Sequence, residues 1–213
     1  EIQDKIIRWS RFANWLTGIE LPLPSVVFEP SRLASAIKVY DPVVIIQPFS
    51  AVKKKQIPSS HYRHIIENLS SETRVIITGA PGDLDENSDF KSLLKIKGVE
   101  FNNSKFEDLV PLLRAAKLVI SVDTAIMHLA VSVGAPTICI ASAAYVGEIV
   151  PYYKSISPKN ARFIYHTMDC EGCLGKCIHP LENGMYPCIA LHKEDQILAI
   201  VSEFVPVLEK RNL

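Results

Sequence analysis

The chain has 213 residues, 48% of them hydrophobic, which is enough to bury a core of domain size. Its 23 basic side chains are balanced by 23 acidic ones, so no overall positive field favours a nucleic-acid partner. The longest apolar stretch, residues 118–140, is interrupted by Asp123, His128 and Pro136, which are too costly for a membrane span. We therefore expect a soluble protein that binds no nucleic acid and holds any anion at a local site.

The first segment is predicted to be an amphipathic helix. Apolar residues recur at helical spacing from Ile6 to Ile19, and Gly18 followed by two prolines marks the end. We interpret residues 1–40 as this helix and a linker, placed ahead of a domain that begins near residue 41.

Strands and helices alternate in the rest of the chain. Short β-branched and apolar runs predict strands at 43–46, 74–78, 99–101, 118–122 and 137–140. Helical patterns predict helices from Ser59 or Ser60 to Leu69, at 90–96, at 106–116 and from Asp123 to Gly134, with a closing helix within 193–213. Ser59 or Ser60 is expected to cap the first of these helices, and Asp123 is expected to cap its own helix. The helix at 106 is expected to begin with a capping box of Ser104 and Glu107. This alternation predicts an α/β fold with a doubly wound, Rossmann-like parallel sheet over residues 41–192.

In such sheets, ligands bind beyond the carboxyl ends of the strands. The strand ending at Val122 leads into a helix whose free amides and positive dipole end suit a phosphate. The Thr124 hydroxyl adds a donor, His128 lies one turn later on the same face, and the Asp123 carboxylate can accept hydrogen bonds from sugar hydroxyls. The alternative is that Asp123 is only a cap and His128 only a core residue, and spacing alone leaves both interpretations open.

Two further loops are expected at the same edge. Residues 48–58 bring Ser50 and three consecutive lysines, one of which could neutralise a diphosphate, although a charge run is often only a solvated loop. Residues 78–83 form a tight turn that presents Asp83, a position from which carboxylates commonly hold ribose hydroxyls. A solvated turn aspartate is the alternative there.

Together these loops resemble glycosyltransferase family 9, the ADP-heptose:lipopolysaccharide heptosyltransferases and their relatives. Asp123, Thr124, His128 and Ala130 match the D-T-G-x-x-H-x-A segment of that family, with Ala125 in place of its glycine.

A second segment of the family, K-x-W-P, is similar to Lys55-Gln56-Ile57-Pro58, which singles out Lys55 among the three lysines. By the same resemblance, Ser50 would contact the diphosphate and Asp83 the ribose, with Glu86 as the alternative to Asp83.

The resemblance implies one half of a two-domain GT-B glycosyltransferase of lipopolysaccharide or surface glycan biosynthesis. This half would bind a nucleoside-diphosphate sugar, ADP-heptose or similar, and Lys55 would stabilise the leaving group. The absent half would bind a glycolipid acceptor and supply the general base. Transfer would invert the anomeric centre with no required cofactor, and the enzyme would be cytoplasmic, with peripheral association at the inner membrane. Residues 141–152 depart from the family pattern, which leaves the identity of the sugar open.

Four cysteines cluster in a loop that we place at residues 168–190. Cys170, Cys173, Cys177 and Cys188 could surround one structural zinc ion, since four thiolates satisfy its tetrahedral preference. Free thiols are an equal alternative, and disulfides or a redox role are less favoured in a reducing compartment.

The sequence is also compatible with two other functions. The chain could be a non-catalytic module that binds nucleotide sugars, or a zinc-stabilised interaction domain that kept the fold without the ligand.

Overall fold

The computed structural model describes residues 4–208. All strands of this part lie in one six-stranded parallel sheet. They are β1 (Val43–Gln47), β2 (Arg74–Thr78), β3 (Val99–Asn102), β4 (Leu118–Val122), β5 (Thr137–Ile140) and β6 (Ala161–Ile164). The strand order is β3-β2-β1-β4-β5-β6, and every neighbouring pair is parallel. The predicted doubly wound parallel sheet is confirmed, because the chain winds outward in opposite directions from β1 and β4.

Helices cover both faces of this sheet. The α-helices are α1 (Lys5–Thr17), α2 (Ser59–Asn68), α3 (Asp83–Glu86), α4 (Phe106–Ala115), α5 (Ala125–Ser132), α6 (Pro187–Ala190) and α7 (Glu194–Val201). One core cluster joins α2 and α7 to one face of the sheet, and a second joins α4 and α5 to the other. Among residues 4–208, every helix is too short or too polar to cross a bilayer.

The alternation of side chains along β1 explains the two core clusters. Val44 and Ile46 point into the first cluster, whereas Val43 and Ile45 point into the second. All five residues of β1 are buried, as expected for a central strand with helices on both sides.

The helix starts differ from the predicted caps. Ser59 is already helical and Pro58 precedes it, whereas Lys105 is the N-cap of α4, so the expected capping box of Ser104 and Glu107 does not form. The predicted cap at Asp123 is also wrong, because Thr124 is the N-cap of α5 and the Asp123 carboxylate binds Lys55 instead. In these helices, tertiary contacts and the preceding turn determine the start.

Several elements differ in type or length from the sequence prediction. The helix expected at 90–96 is a 3-10 segment at Ser88–Lys95, and α3 and β6 were not predicted. The 168–190 loop ends in α6, which carries Cys188. The closing helix ends at Val201 rather than continuing through 193–213, because Val205 turns into the core and Val207 bridges Leu69. Residues 209–213 of that prediction lie outside the described part.

Candidate functional site

A cavity of about 370 Å³ opens where β1 and β4 lie side by side. This is the point at which the strand order reverses, and it is where doubly wound sheets bind their ligands. Its walls come from the ends of β1 and β2, the loop between β3 and α4, and the start of α5. The topology therefore builds one concave site from segments that are far apart in the sequence.

The floor of this cavity is a pair of buried polar side chains that sequence reasoning did not identify. The Thr78 hydroxyl donates to Gln47 Oε1 at 2.7 Å, and Gln47 Nε2 donates to the Phe49 carbonyl at 3.1 Å. These bonds tie the end of β2 to the end of β1 and to the loop that follows it. Two polar residues at the carboxyl ends of adjacent strands are the signal that could have revealed this floor.

The N-terminus of α5 forms another wall. Thr124 is extended at φ −146° and ψ 170°, and Thr124, Ala125 and Ile126 line the cavity. The first amides of a helix have no partner within it and carry the positive end of its dipole. This wall therefore suits an anionic group, and the roles of Thr124 and Ala125 toward such a group stay predictions.

Ser50 and Asp83 line the same cavity from opposite loops. Ser50 Oγ accepts a hydrogen bond from the Val52 amide at 3.2 Å, and Asp83 Oδ2 accepts one from the Ala80 amide at 2.6 Å. Both side chains thus shape their own turns and retain further hydrogen-bonding capacity for a ligand. Glu86, the alternative to Asp83, instead lies 3.3 Å from Lys53 Nζ.

Lys55, Asp123 and His128 form a separate ionic cluster next to the cavity. Lys55 Nζ donates to Asp123 Oδ2 at 2.7 Å and to the Asp123 carbonyl at 3.1 Å. His128 Nε2 lies 3.7 Å from Asp123 Oδ1, and its Nδ1 is 2.6 Å from the Tyr152 hydroxyl. The motif residues are therefore linked to each other, with Tyr152 as a partner that the sequence did not indicate.

The electrostatics of this cluster keep the carboxylate ionised. Burial alone would raise the pKa of Asp123, but the contact with His128 and the charge of Lys55 outweigh it and lower that pKa below its ordinary value. Burial also raises the pKa of the Tyr152 hydroxyl. At neutral pH the Asp123 carboxyl is therefore ionised and the Tyr152 hydroxyl keeps its proton.

The predicted site residues thus lie in two different places. Ser50, Asp83, Thr124 and Ala125 line the cavity, whereas Lys55, Asp123 and His128 do not. Their roles toward a ligand remain predictions.

Two of the four cysteines of the 168–190 segment are adjacent in space. Cys170 Sγ lies 4.0 Å from Cys177 Sγ, and all four thiols of the segment are free. Desolvation and the nearby Cys177 thiol raise the pKa of Cys170 to about 11. The ligand atoms of Asp169, Cys170 and His179 all lie within 4.8 Å of one another, so residues outside the predicted quartet also join the cluster.

Comparison with known proteins gives one family match. The model of glycosyltransferase family 9 (heptosyltransferase) matches residues 12–171. No curated protein matches the chain significantly.

Solved structures give the same fold at low sequence identity. E. coli ADP-heptose lps heptosyltransferase II is 15% identical with a TM-score of 0.62, and the match covers 88% of this chain and 56% of that one. The glycosyl transferase family 9 from Veillonella parvula DSM 2008 is 17% identical with a TM-score of 0.57, over 79% of this chain and 47% of that one.

The iron-containing dodecameric heptosyltransferase TibC of enterotoxigenic E. coli, solved with ADP-D-beta-D-heptose, is 17% identical with a TM-score of 0.62. That match covers 91% of this chain and 52% of TibC. The predicted α/β, Rossmann-like fold is confirmed. The chain spans about half the length of these related structures.

Proposed function

Because the chain belongs to glycosyltransferase family 9 (heptosyltransferase), we propose that it is the donor-binding half of a glycosyltransferase that uses a nucleoside-diphosphate sugar, ADP-heptose or similar. The observation that carries the proposal is the cavity at the β1–β4 switch point. A helix N-terminus forms one of its walls, and the ionic cluster that contains Lys55 lies next to it. Related structures solved with ADP-heptose or with ADP support the class of ligand.

The anionic part of the donor would lie against the start of α5. There the diphosphate would accept hydrogen bonds from the free helix amides and the Thr124 hydroxyl. A lysine ammonium has three donors, and Lys55 uses two of them on Asp123, which leaves one for a phosphate oxygen. In this arrangement Asp123 holds Lys55 in place, and its carboxylate would accept hydrogen bonds from sugar hydroxyls.

The nucleoside would occupy the apolar part of the cavity. Phe106, Leu109 and Ile126 provide an apolar lining for a base, and Asp83 is placed to accept hydrogen bonds from a ribose. Mixed apolar and polar lining of this kind is usual for cofactor-sized ligands.

In the transfer reaction, this half would stabilise charge on the departing nucleoside diphosphate. Lys55 and the α5 amides are preorganised donors where that charge develops, and they would act without a metal ion. Inversion at the anomeric carbon would need a nucleophile and a general base from the acceptor-binding half. The acceptor would be a glycolipid of lipopolysaccharide or surface glycan synthesis, met at the cytoplasmic face of the inner membrane.

Thermal stabilisation by a panel of nucleoside diphosphates and their sugar conjugates tests donor binding. A ligand at 100 times its dissociation constant stabilises the folded state by about 2.7 kcal/mol, so one diphosphate class should raise the melting temperature clearly. The shift should fall in Thr124→Val and Ala125→Asp and persist in the control Lys54→Ala, whose side chain is exposed.

Two results would contradict the proposed function. No shift with any ligand, from folded protein, would contradict donor binding by this half and favour the interaction-domain alternative. Binding without transfer by the complete enzyme would favour the non-catalytic module.

We further propose that the cysteine cluster holds a structural metal ion. Two thiolates of one tetrahedral zinc site lie ~3.8 Å apart for Zn–S bonds of about 2.3 Å, close to the 4.0 Å between Cys170 and Cys177. Cys173 and Cys188 are the other predicted ligands, and His179 is a nearby nitrogen donor. The ion would tie the 168–190 segment to the sheet and take no part in transfer.

Elemental analysis of the purified chain tests this proposal. About one zinc or iron per chain is expected, and it should be lost in Cys170→Ser/Cys177→Ser but kept in the control Cys139→Ala, since Cys139 lies in the core. Substoichiometric metal in the folded parent protein would contradict it.

A further inference from the structure

The outer side of α1 carries large apolar side chains that face solvent. Trp9, Phe12, Trp15 and Leu16 are 61%, 46%, 77% and 67% exposed. The rings touch one another, with centroids 5.7 Å apart for Trp9–Phe12 and 5.8 Å for Phe12–Trp15. We call these four side chains the outer apolar face.

The first turn of the same helix is anchored to the domain, so the outer apolar face does not belong to a loose helix. Ile7 is buried in a core cluster, and the Lys5 amide donates to the Glu148 carbonyl at 2.8 Å. Asp4 caps the helix through Oδ1 and accepts from the Tyr153 amide through Oδ2 at 3.0 Å. The first turn of the helix is therefore fixed to the domain, and the four large apolar groups lie exposed on the turns that follow.

The apolar surface continues beyond the helix. The extended segment that follows exposes Ile19, Leu21, Leu23 and Phe28, each at least half exposed. Isolated apolar residues are common on protein surfaces, but a contiguous aromatic patch of this kind marks an interaction site. Aromatic side chains, tryptophan above all, dominate the binding energy of such sites.

A second cavity lies at the start of α1, next to the ionic cluster. A cavity of about 400 Å³ lies between α1 and the side chains of His128, Glu148 and Tyr152. Through His128 it adjoins the ionic cluster of Asp123 and Lys55. The start of α1 therefore lies beside the ionic cluster.

We propose that the outer apolar face is the docking surface for the companion half of the glycosyltransferase. Related structures contain nearly as much chain again beyond the part that matches, 44% of heptosyltransferase II and 48% of TibC, taking the matched 56% and 52% from the whole. The family model also extends into α1, since its match begins at residue 12. This inference rests on the proposed function, but its test does not use donor binding.

The two tryptophans of the chain provide a direct reporter, because both lie on the outer apolar face. We would compare acrylamide quenching of Trp9 and Trp15 in residues 1–213 alone and in the complete polypeptide that the gene encodes. Difference spectra against Trp9→Phe/Trp15→Phe isolate the two indoles in the longer protein. The expected result is free quenching in the short chain and several-fold weaker quenching, with blue-shifted emission, in the complete one.

Variants extend the test to the interface itself. Phe12→Ser/Leu16→Ser should leave the melting temperature of residues 1–213 nearly unchanged, since both side chains are solvated there, but should restore quenching in the complete protein. Ala13→Ser, an exposed position on the same helix, is the matched control and should restore nothing.

Three results would overturn the proposal. They are tryptophans that remain freely quenched in the complete protein, a gene product with no companion half, and quenching protection of residues 1–213 produced by vesicles with anionic lipid or by raising the concentration of the chain. The last would assign the face to a membrane surface or to a second copy.

Discussion

Lys55 differs from its two lysine neighbours in burial and in partner. It is 8% exposed, with its ammonium against Asp123 and 4.8 Å from the centre of the Tyr145 ring, whereas Lys53 and Lys54 are exposed. The charges of a buried pair are costly to desolvate, so the pair gives little net stability, but each partner depends strongly on the other.

This dependence leads to a stability prediction. Lys55→Met leaves the Asp123 carboxylate buried without its cation and should lower the free energy of unfolding by about 3–5 kcal/mol in urea titrations. Lys54→Met should change it by less than about 0.5 kcal/mol. The double variant Lys55→Met/Asp123→Leu should recover most of the loss. A loss from Lys55→Met as small as that from Lys54→Met would show that the pair is not buried as described.

His192 leads to a prediction about pH. Burial lowers its pKa to about 4, and the neighbouring His166 adds to this effect, although the hydrogen bond between Nε2 and the Ala141 carbonyl opposes it. The unfolded chain binds this proton near pH 6.5, so it holds more protons than the folded chain between about pH 6.5 and 4. Stability should therefore fall as the pH is lowered through that window, by about 3 kcal/mol in total.

His192→Gln provides the comparison, because glutamine can still donate to the Ala141 carbonyl but does not titrate. Unfolding free energies measured from pH 7 to 4.5 should decline less steeply in the variant. Parallel curves for the two proteins would mean that His192 does not contribute.

At the scale of the elements, the loop after β2 packs closely against the loop after β1 at Gly79. A Cβ at this position would lie 2.8 and 2.9 Å from two atoms of the Phe49 ring. The ring has little room to move, because it is buried and packs on Phe90 with centroids 5.1 Å apart. The absence of a side chain at Gly79 thus allows both loops to reach the cavity.

Gly79→Ala should therefore destabilise the fold by about 1–3 kcal/mol through overpacking and should weaken donor binding because the cavity loops shift. In a Phe49→Leu background the added methyl has space, so Gly79→Ala should cost almost nothing there. Chemical denaturation of the four proteins measures this coupling. An equal cost in both backgrounds would contradict the contact.

The sequence predicted the elements whose patterns are strong and local. Five of six strands were found. The missed strand, β6, is a four-residue edge strand with an arginine inside it, and β3 is a similar edge strand with a glutamate inside it. The regular alternation of strands and helices indicated β3, whereas a long segment without a helical or strand pattern precedes β6. Periodicity did not distinguish the 3-10 segment at Ser88–Lys95 from an α-helix. It also extended the last helix too far, because the apolar residues after Val201 reach the core through a turn.

At the scale of the whole molecule, the sheet topology determines which predicted residues meet. The three loops were expected at one edge, and four of the predicted site residues in them do line one cavity. The pairing of Lys55 with Asp123 spans 68 positions, and that of His128 with Tyr152 spans 24. Contacts of this kind depend on long-range packing, and no local pattern reports them. The cysteines were easier to group, since they are close in sequence.

Hydrogen–deuterium exchange of the folded chain with and without an ADP-sugar tests the central claim most directly, because it reports both binding and its location. We expect slower exchange at the three loops that form the cavity, residues 47–51, 78–83 and 123–128, and unchanged exchange in α2 and α7 on the far side of the sheet. Protection confined to other segments, or no protection at saturating ligand, would contradict the assignment of this cavity as the donor site.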